Sequence, residues 1–292
     1  MVTDAAYARC LEIARRHYEN FPVASRLLPR RMRPDVAAIY AFARIADDFA
    51  DEGERDDATR LELLDDWRDR LYRAAGGDFT ADDPDAAAVF RALSVTIRRH
   101  GLDVQLLDDL LSAFRQDVLV KRYEAWDDVL DYCRRSANPV GRLVLRLAGY
   151  REPHLDEMSD AVCTALQLTN FWQDLQLDWR KGRLYLPLAY VRAAAADEED
   201  LNREQLTPEW RRALATVALE TRALFAFGRP IADAVNGRLK WELRATWLGG
   251  VRILDRLEAN GFDVFAARPT LGWQDALSIS MKMIAWQAHP AS

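Results

Sequence analysis

The run Ala161–Gln173 holds thirteen consecutive residues without a charge, and the next charges along the chain are Asp174 and Asp178. Apolar and small residues recur there at three- and four-residue spacing, the period of an α-helix. A helix that is uncharged for more than three turns has no side suited to water, so it belongs in the interior. At about 100° per residue, Gln167, Asn170, Asp174 and Asp178 share a sector of roughly 80°. Buried carboxylates are rare unless they are paired or bound to a metal. An acidic stripe on a central helix therefore points to a polar cavity inside a helical protein.

The remaining sequence also reads as helix, because β-branched runs of strand length are missing. Pro29 and Pro34 precede a helix expected over about residues 35–52, and Gly76-Gly77 with Asp82-Asp83-Pro84 interrupts the chain around 78–84. Gly101 separates two more helices, with Asp103 placed as an N-cap. Later helical blocks are expected at roughly 126–148, 154–180, 207–228, 231–259 and 271–287, the first kinked at Asn138-Pro139 and Gly141. Residues 193–204 read as a solvated loop or helix end. No Ser/Gly/Pro-rich linker, fixed-period repeat, GxGxxG or P-loop is present. The expected architecture is all-α, a single domain over 1–292 with its core at about 7–287.

Half of the 292 residues are hydrophobic, enough for a sizeable core. A net charge of -6 argues against nucleic acid as the main partner. The start of the chain lacks a signal-peptide core, and no apolar run reaches membrane-span length. Cys10, Cys133 and Cys163 form no CxxC or zinc pattern and read as core thiols of a reducing compartment. The four histidines show no HExxH or triad-like spacing and read as structural or surface residues. A cytoplasmic protein is expected, with peripheral association at the inner membrane left open. No strongly amphipathic basic helix marks a membrane-facing rim.

A second stripe lies earlier in the chain. Tyr40, Arg44, Asp47 and Asp51 fall within a sector of roughly 60°, with Ile39, Phe42, Ile45 and Phe49 behind them. Carboxylates four residues apart repel by about 0.2–0.5 kcal/mol even on an exposed helix, and by more in a cleft. Taken alone, this face could equally be a solvated one, continued by Glu52, Glu54 and Asp56. Beside the Asp174/Asp178 stripe, a metal site is the better reading. Oxygen-only ligands suit Mg²⁺, which keeps several waters and binds the oxygens of a diphosphate. Arg44 and Arg183 can add charge-assisted hydrogen bonds to the same phosphates. Neutralising such a leaving group lowers the barrier to breaking a carbon–oxygen bond, and apolar, aromatic helices would house a greasy tail.

The runs IYAFARIADDFAD and QLTNFWQDLQLDWRKGRLYLP resemble the two Asp-rich motifs of the squalene/phytoene synthase family, the likeness extending over about residues 7–265. The resemblance implies a single-domain isoprenoid-synthase helical bundle around a central cavity. It implies Asp47, Asp51, Asn170, Asp174 and Asp178 as Mg²⁺ ligands. Tyr40, Arg44, Gln167, Asn170, Arg183, Tyr185 and Phe21 are then substrate-binding residues. Where the family often carries His-Ser-Lys-Ser-Phe, this chain has His17-Tyr18-Glu19-Asn20-Phe21, without the serines that help bind one diphosphate. Ala137-Asn138-Pro139-Val140-Gly141 also departs from the family's Ala-Gly-Ser/Thr-Val-Gly. With ENFPVASRLLP and WELRATWLGGVRIL, these departures are most similar to the hydroxysqualene synthase branch of hopanoid biosynthesis. That branch ionises presqualene diphosphate and captures water; contact with neighbouring pathway enzymes is left open.

The catalytic set expected from this resemblance is Asp47, Asp51, Asp174, Arg44, Tyr40 and Asn138. Either Asn138 or Tyr40 would orient the water, while an Asn at a kink also serves to satisfy a freed backbone carbonyl. Asp117 corresponds to a recurrent acid of the family, and a cap or salt-bridge role fits it equally. Trp241, Trp247, Trp273 and Trp286 read as core and surface anchors, with one facing the pocket as the alternative. The competing enzyme is a condensing relative that joins two farnesyl or geranylgeranyl diphosphates. A non-catalytic assembly relative would be expected to lose the carboxylates that this chain keeps.

Overall fold

A computed structural model of the chain describes residues 2–16, 27–79 and 83–287, so His17, Asn20, Phe21 and His289 lie outside the described residues. In order, the helices are α1 (Val2–Arg16), α2 (Arg33–Asp51), α3 (Asp57–Ala75), α4 (Pro84–His100) and α5 (Gln105–Leu119). They continue as α6 (Trp126–Ser136), α7 (Asn138–Ala148), α8 (Pro153–Gln173), α9 (Leu175–Arg180) and α10 (Leu188–Ala193). The last are α11 (Glu198–Asn202), α12 (Pro208–Gly228), α13 (Ile231–Ala234), α14 (Gly237–Ala259) and α15 (Trp273–Ile284). Among the described residues, extended pairing is limited to an isolated bridge between Arg122 and Leu184. The chain divides into two compact units, 1–119 with 139–156, and 120–138 with 157–292.

In the first unit, local chemistry sets the helix ends. Asp56 accepts a hydrogen bond from Thr59 N at 2.9 Å to start α3, and Asp83 accepts from Ala86 N at 3.1 Å to start α4. Gly101 closes α4 in the left-handed region at φ 57°, where a side chain would be strained. Asp103 accepts from the Gln105 amide at 3.0 Å, as a cap should. Alanines let α2 pack closely against α1, α3, α4 and α5. Its Phe42 stacks on Trp67 at 6.0 Å and meets Phe90 edge-on at 6.1 Å. Beneath α1, buried Asp35 accepts from Tyr7 Oη at 3.0 Å and Thr96 Oγ1 at 2.9 Å, and pairs with His100 at 3.1 Å. Burial pushes the Tyr7 hydroxyl up to about 12.

In the second unit, α8 is the central element. No residue from Ala161 to Gln173 is exposed, which bears out the reading of the uncharged run. A Cβ on Gly228 of α12 would come within 2.7 Å of the Met158 carbonyl and 2.6 Å of Val162. A Cβ on Gly250 of α14 would meet Leu166 at 2.5 Å. Buried Trp172 donates its indole N–H to Thr221 Oγ1 of α12 at 3.0 Å. Trp247 and Trp286 meet edge-on at 5.4 Å, with Arg229 lying over Trp286 at 4.3 Å, so both are packing anchors. Cys10 and Cys133 are buried thiols, as expected.

Three expected helices are divided. The 126–148 block becomes α6 and α7, because Pro139 has no N–H to continue α6 and Ala137 departs to φ -109°. The 231–259 block breaks at Val235 and Asn236, both extended, before Gly237 turns at φ 65°. The 154–180 block breaks at Asp174, whose backbone leaves the helical region at φ -101°, ψ 11°. The i,i+4 bonds from Asp174 N to Asn170 O and from Asp178 N to Asp174 O survive at 2.8 Å, so the polar stripe stays in phase.

Candidate active site

Within the first unit, the buried back of α2 turns Tyr40, Arg44, Asp47 and Asp51 to a half-buried face. Arg44 donates to Asp47 Oδ2 at 3.1 Å and pairs with Asp48 Oδ1 at 2.5 Å. The Asp47 carboxyl is pushed up to about 7, first by burial and then by Asp51, with Asp117 and Asp48 adding repulsion and Arg44 opposing it. Burial and the negative charge of Asp47 and Asp48 likewise raise the Tyr40 hydroxyl against the pull of Arg44. Asp117, buried on α5, therefore acts on this face through its charge. Three neighbouring carboxylates thus act against the Asp47 charge and Arg44 acts for it.

Within the second unit, Gln167, Asn170, Asp174 and Asp178 are all half-buried along α8 and α9. Asn170 Nδ2 donates to Asp174 Oδ2 at 2.7 Å, and Arg268 donates through Nε to Asp174 Oδ1. Gln173 Nε2 donates to the Pro269 carbonyl at 2.5 Å, fastening the same loop. Arg183 is buried, and its amide donates to the Asp178 carbonyl at 2.8 Å. Tyr185 stacks on Phe171 at 3.8 Å with the rings 4° from parallel, inside an aromatic cluster with Tyr123 and Tyr132. Asn138 is buried, and its amide oxygen accepts from Thr164 Oγ1 at 2.9 Å.

The donors on each stripe suit a hard divalent cation in kind, being carboxylate and amide oxygens. Among the described residues, however, no three His, Cys, Asp or Glu side chains converge closely enough to hold a metal ion. At each stripe a guanidinium lies on one of the expected ligands, Arg44 on Asp47 and Arg268 on Asp174. Sequence reading missed Asp48, Gln173 and Arg268. Asp48 adjoins an expected ligand, whereas Arg268 is 94 residues from Asp174 and no local spacing announces it.

The family model for squalene/phytoene synthase matches residues 14–275, a span that enters both units. The chain belongs to the squalene/phytoene synthase family. It is 41% identical over 224 residues to hydroxysqualene synthase from Zymomonas mobilis, covering 75% of this chain and 72% of that one. Identity to hydroxysqualene synthase from Rhodopseudomonas palustris is 40% over 219 residues, with the same coverage. Phytoene synthase from Synechococcus elongatus is 29% identical over 294 residues, covering 96% and 92%. Squalene synthase HpnC from Alicyclobacillus acidocaldarius superposes with a TM-score of 0.82 at 37% identity, covering 89% and 95%. A ligand-bound dehydrosqualene synthase gives 0.85 at 21% identity, covering 97% of each chain, a likeness of fold. This squalene/phytoene synthase family member thus has the all-α isoprenoid-synthase fold that its sequence led one to expect.

Proposed function

We propose that this chain is a hydroxysqualene synthase of hopanoid biosynthesis, converting presqualene diphosphate and water to hydroxysqualene and pyrophosphate. The observation that carries the reading is the identity of 40–41% to two hydroxysqualene synthases, against 29% to a phytoene synthase. The family match across 14–275 supports treating both units as one catalytic domain.

Asp47 and Asp51, with Asn170, Asp174 and Asp178, are assigned as the ligands of Mg²⁺. Bound there, the cation would neutralise the diphosphate as it departs. Support comes from the carboxylate crowding around Asp47, a repulsion that a cation relieves. Arg44 and Arg183 are assigned to phosphate oxygens, where a rigid guanidinium fork suits two acceptors. Tyr40 and Gln167 would border the leaving group. Phe171 and Tyr185, stacked at 3.8 Å, offer an apolar aromatic wall. Asn138 is assigned to the attacking water; Thr164 fixes its amide oxygen at 2.9 Å, leaving the amide N–H₂ to donate. The protein is assigned to the cytoplasm, where its three cysteines would stay reduced.

Incubation with presqualene diphosphate and Mg²⁺ in H₂¹⁸O, followed by mass analysis, should yield a C30 alcohol carrying ¹⁸O. If the purified protein couples two farnesyl diphosphates as fast as it consumes presqualene diphosphate, it is a condensing enzyme instead.

A further inference from the structure

Helix α15 is held to α14 by its polar side and turns its apolar side outward. Asp275, 1% exposed, pairs with Arg252 at 2.8 Å and Arg256 at 2.7 Å, and accepts from the Gly272 amide at 2.8 Å. Arg244 reaches the far end through the Met283 carbonyl at 3.3 Å. On the opposite side, Trp273, Leu277, Met281 and Ile284 share a sector of about 80°. Their exposures are 75%, 56%, 58% and 79%. Four adjoining large apolar side chains turned to water mark an interaction surface.

Charge narrows what can cover it. The chain carries a net -6, yet residues 237–287 hold seven Lys/Arg against five Asp/Glu. From Leu271 to Gln287 the one acid is the buried Asp275, so the exposed surface presents Lys282 and no carboxylate. An apolar ridge with an indole at one end and no exposed acid on its own helix suits a bilayer interface, where Trp settles at headgroup depth and anionic headgroups repel carboxylates. No helix among the described residues is long and apolar enough to cross a membrane. The contact would be one that lies in the surface. We propose that the outer face of α15 docks the protein on an anionic lipid bilayer, with Trp273, Leu277, Met281 and Ile284 entering the headgroup–acyl boundary.

The test uses the full chain and vesicles of phosphatidylcholine with roughly one-third phosphatidylglycerol, and it needs no turnover, so it stands apart from the catalytic assignment. Wild-type protein should co-sediment. The variant W273S/L277Q/M281Q/I284Q should partition at least tenfold more weakly while keeping the wild-type circular dichroism spectrum and melting temperature. In parallel, Leu277→Cys carrying an environment-sensitive dye should shift to the blue on adding vesicles. Equal partition of variant and wild type, no partition of either, or an unshifted dye overturns the proposal. So does light scattering that gives a wild-type dimer and a variant monomer, because the face then joins two copies of this chain.

Discussion

Asp174 shows how a proposed ligand can be occupied by its own protein. Its side chain is 17% exposed and is held by the Asn170 amide at 2.7 Å and by the guanidinium of Arg268. An ion pair of this partly exposed kind contributes about 1 kcal/mol at most. A cation bound at Asp174 Oδ1 competes with Arg268. Arg268→Ala should therefore tighten Mg²⁺ binding, by about fivefold if that energy is recovered in full. Calorimetric titration of the metal-free protein checks this, and an unchanged dissociation constant removes Asp174 from the proposed ligand set. Asp174 and Asp178 were legible from the uncharged run before them. Arg268 was not, because the contact is made by folding and not by helical spacing.

Element by element, the sequence spoke plainly where a helix is defined by its own face. α2 was expected over about 35–52 and spans Arg33–Asp51, since its alanines and apolar back serve one packed interface. Less legible was what covers a face. Trp273, Leu277, Met281 and Ile284 have the spacing of a core stripe, and only the anchoring of Asp275 beneath them shows that the stripe points outward. That anchor has a pH signature. The Gly272 amide and then the Arg252 guanidinium hold the Asp275 carboxyl at about 2, below its ordinary 3.8. A depressed carboxylate contributes stability that is complete above the unfolded value and is lost as pH falls through the folded one. In urea denaturation, Asp275→Asn should be less stable than wild type by a constant margin from pH 8 to 5. That margin should narrow below pH 4; a margin unchanged at pH 3.5 argues against the ionised anchor.

Glycines test the packing of α8 in the same way. Gly228 has backbone at 2.7 Å from where a Cβ would sit, whereas Gly249 has only Leu271 Cδ1 at 3.5 Å. Gly228→Ala should cost about 1–3 kcal/mol through overpacking. Gly249→Ala, mid-helix, should be neutral or stabilise by about 0.5–1 kcal/mol. Thermal or urea unfolding of the pair decides it, and equal effects would mean that α12 does not approach α8 as closely as described.

At the scale of the molecule, the sequence divides the proposed ligands into two groups far apart in the chain, Asp47 and Asp51 on α2 and Asn170 to Asp178 on α8 and α9. Periodicity revealed each group but says nothing about whether they serve one ligand, because helical phase is a property of one helix at a time. Linkage can answer this. A ligand held at about 100 times its dissociation constant stabilises the native state by about 2.7 kcal/mol. For a chain of this length that raises the melting temperature by roughly 4–5 °C. Pyrophosphate with Mg²⁺ is the appropriate probe, since it is the product common to every reaction considered for this family member. If both stripes hold one metal–pyrophosphate complex, Asp47→Asn and Asp174→Asn should each abolish the whole shift although the two residues lie on different helices. Two independent sites would leave each variant with part of the wild-type shift, and the single-complex assignment would then fail.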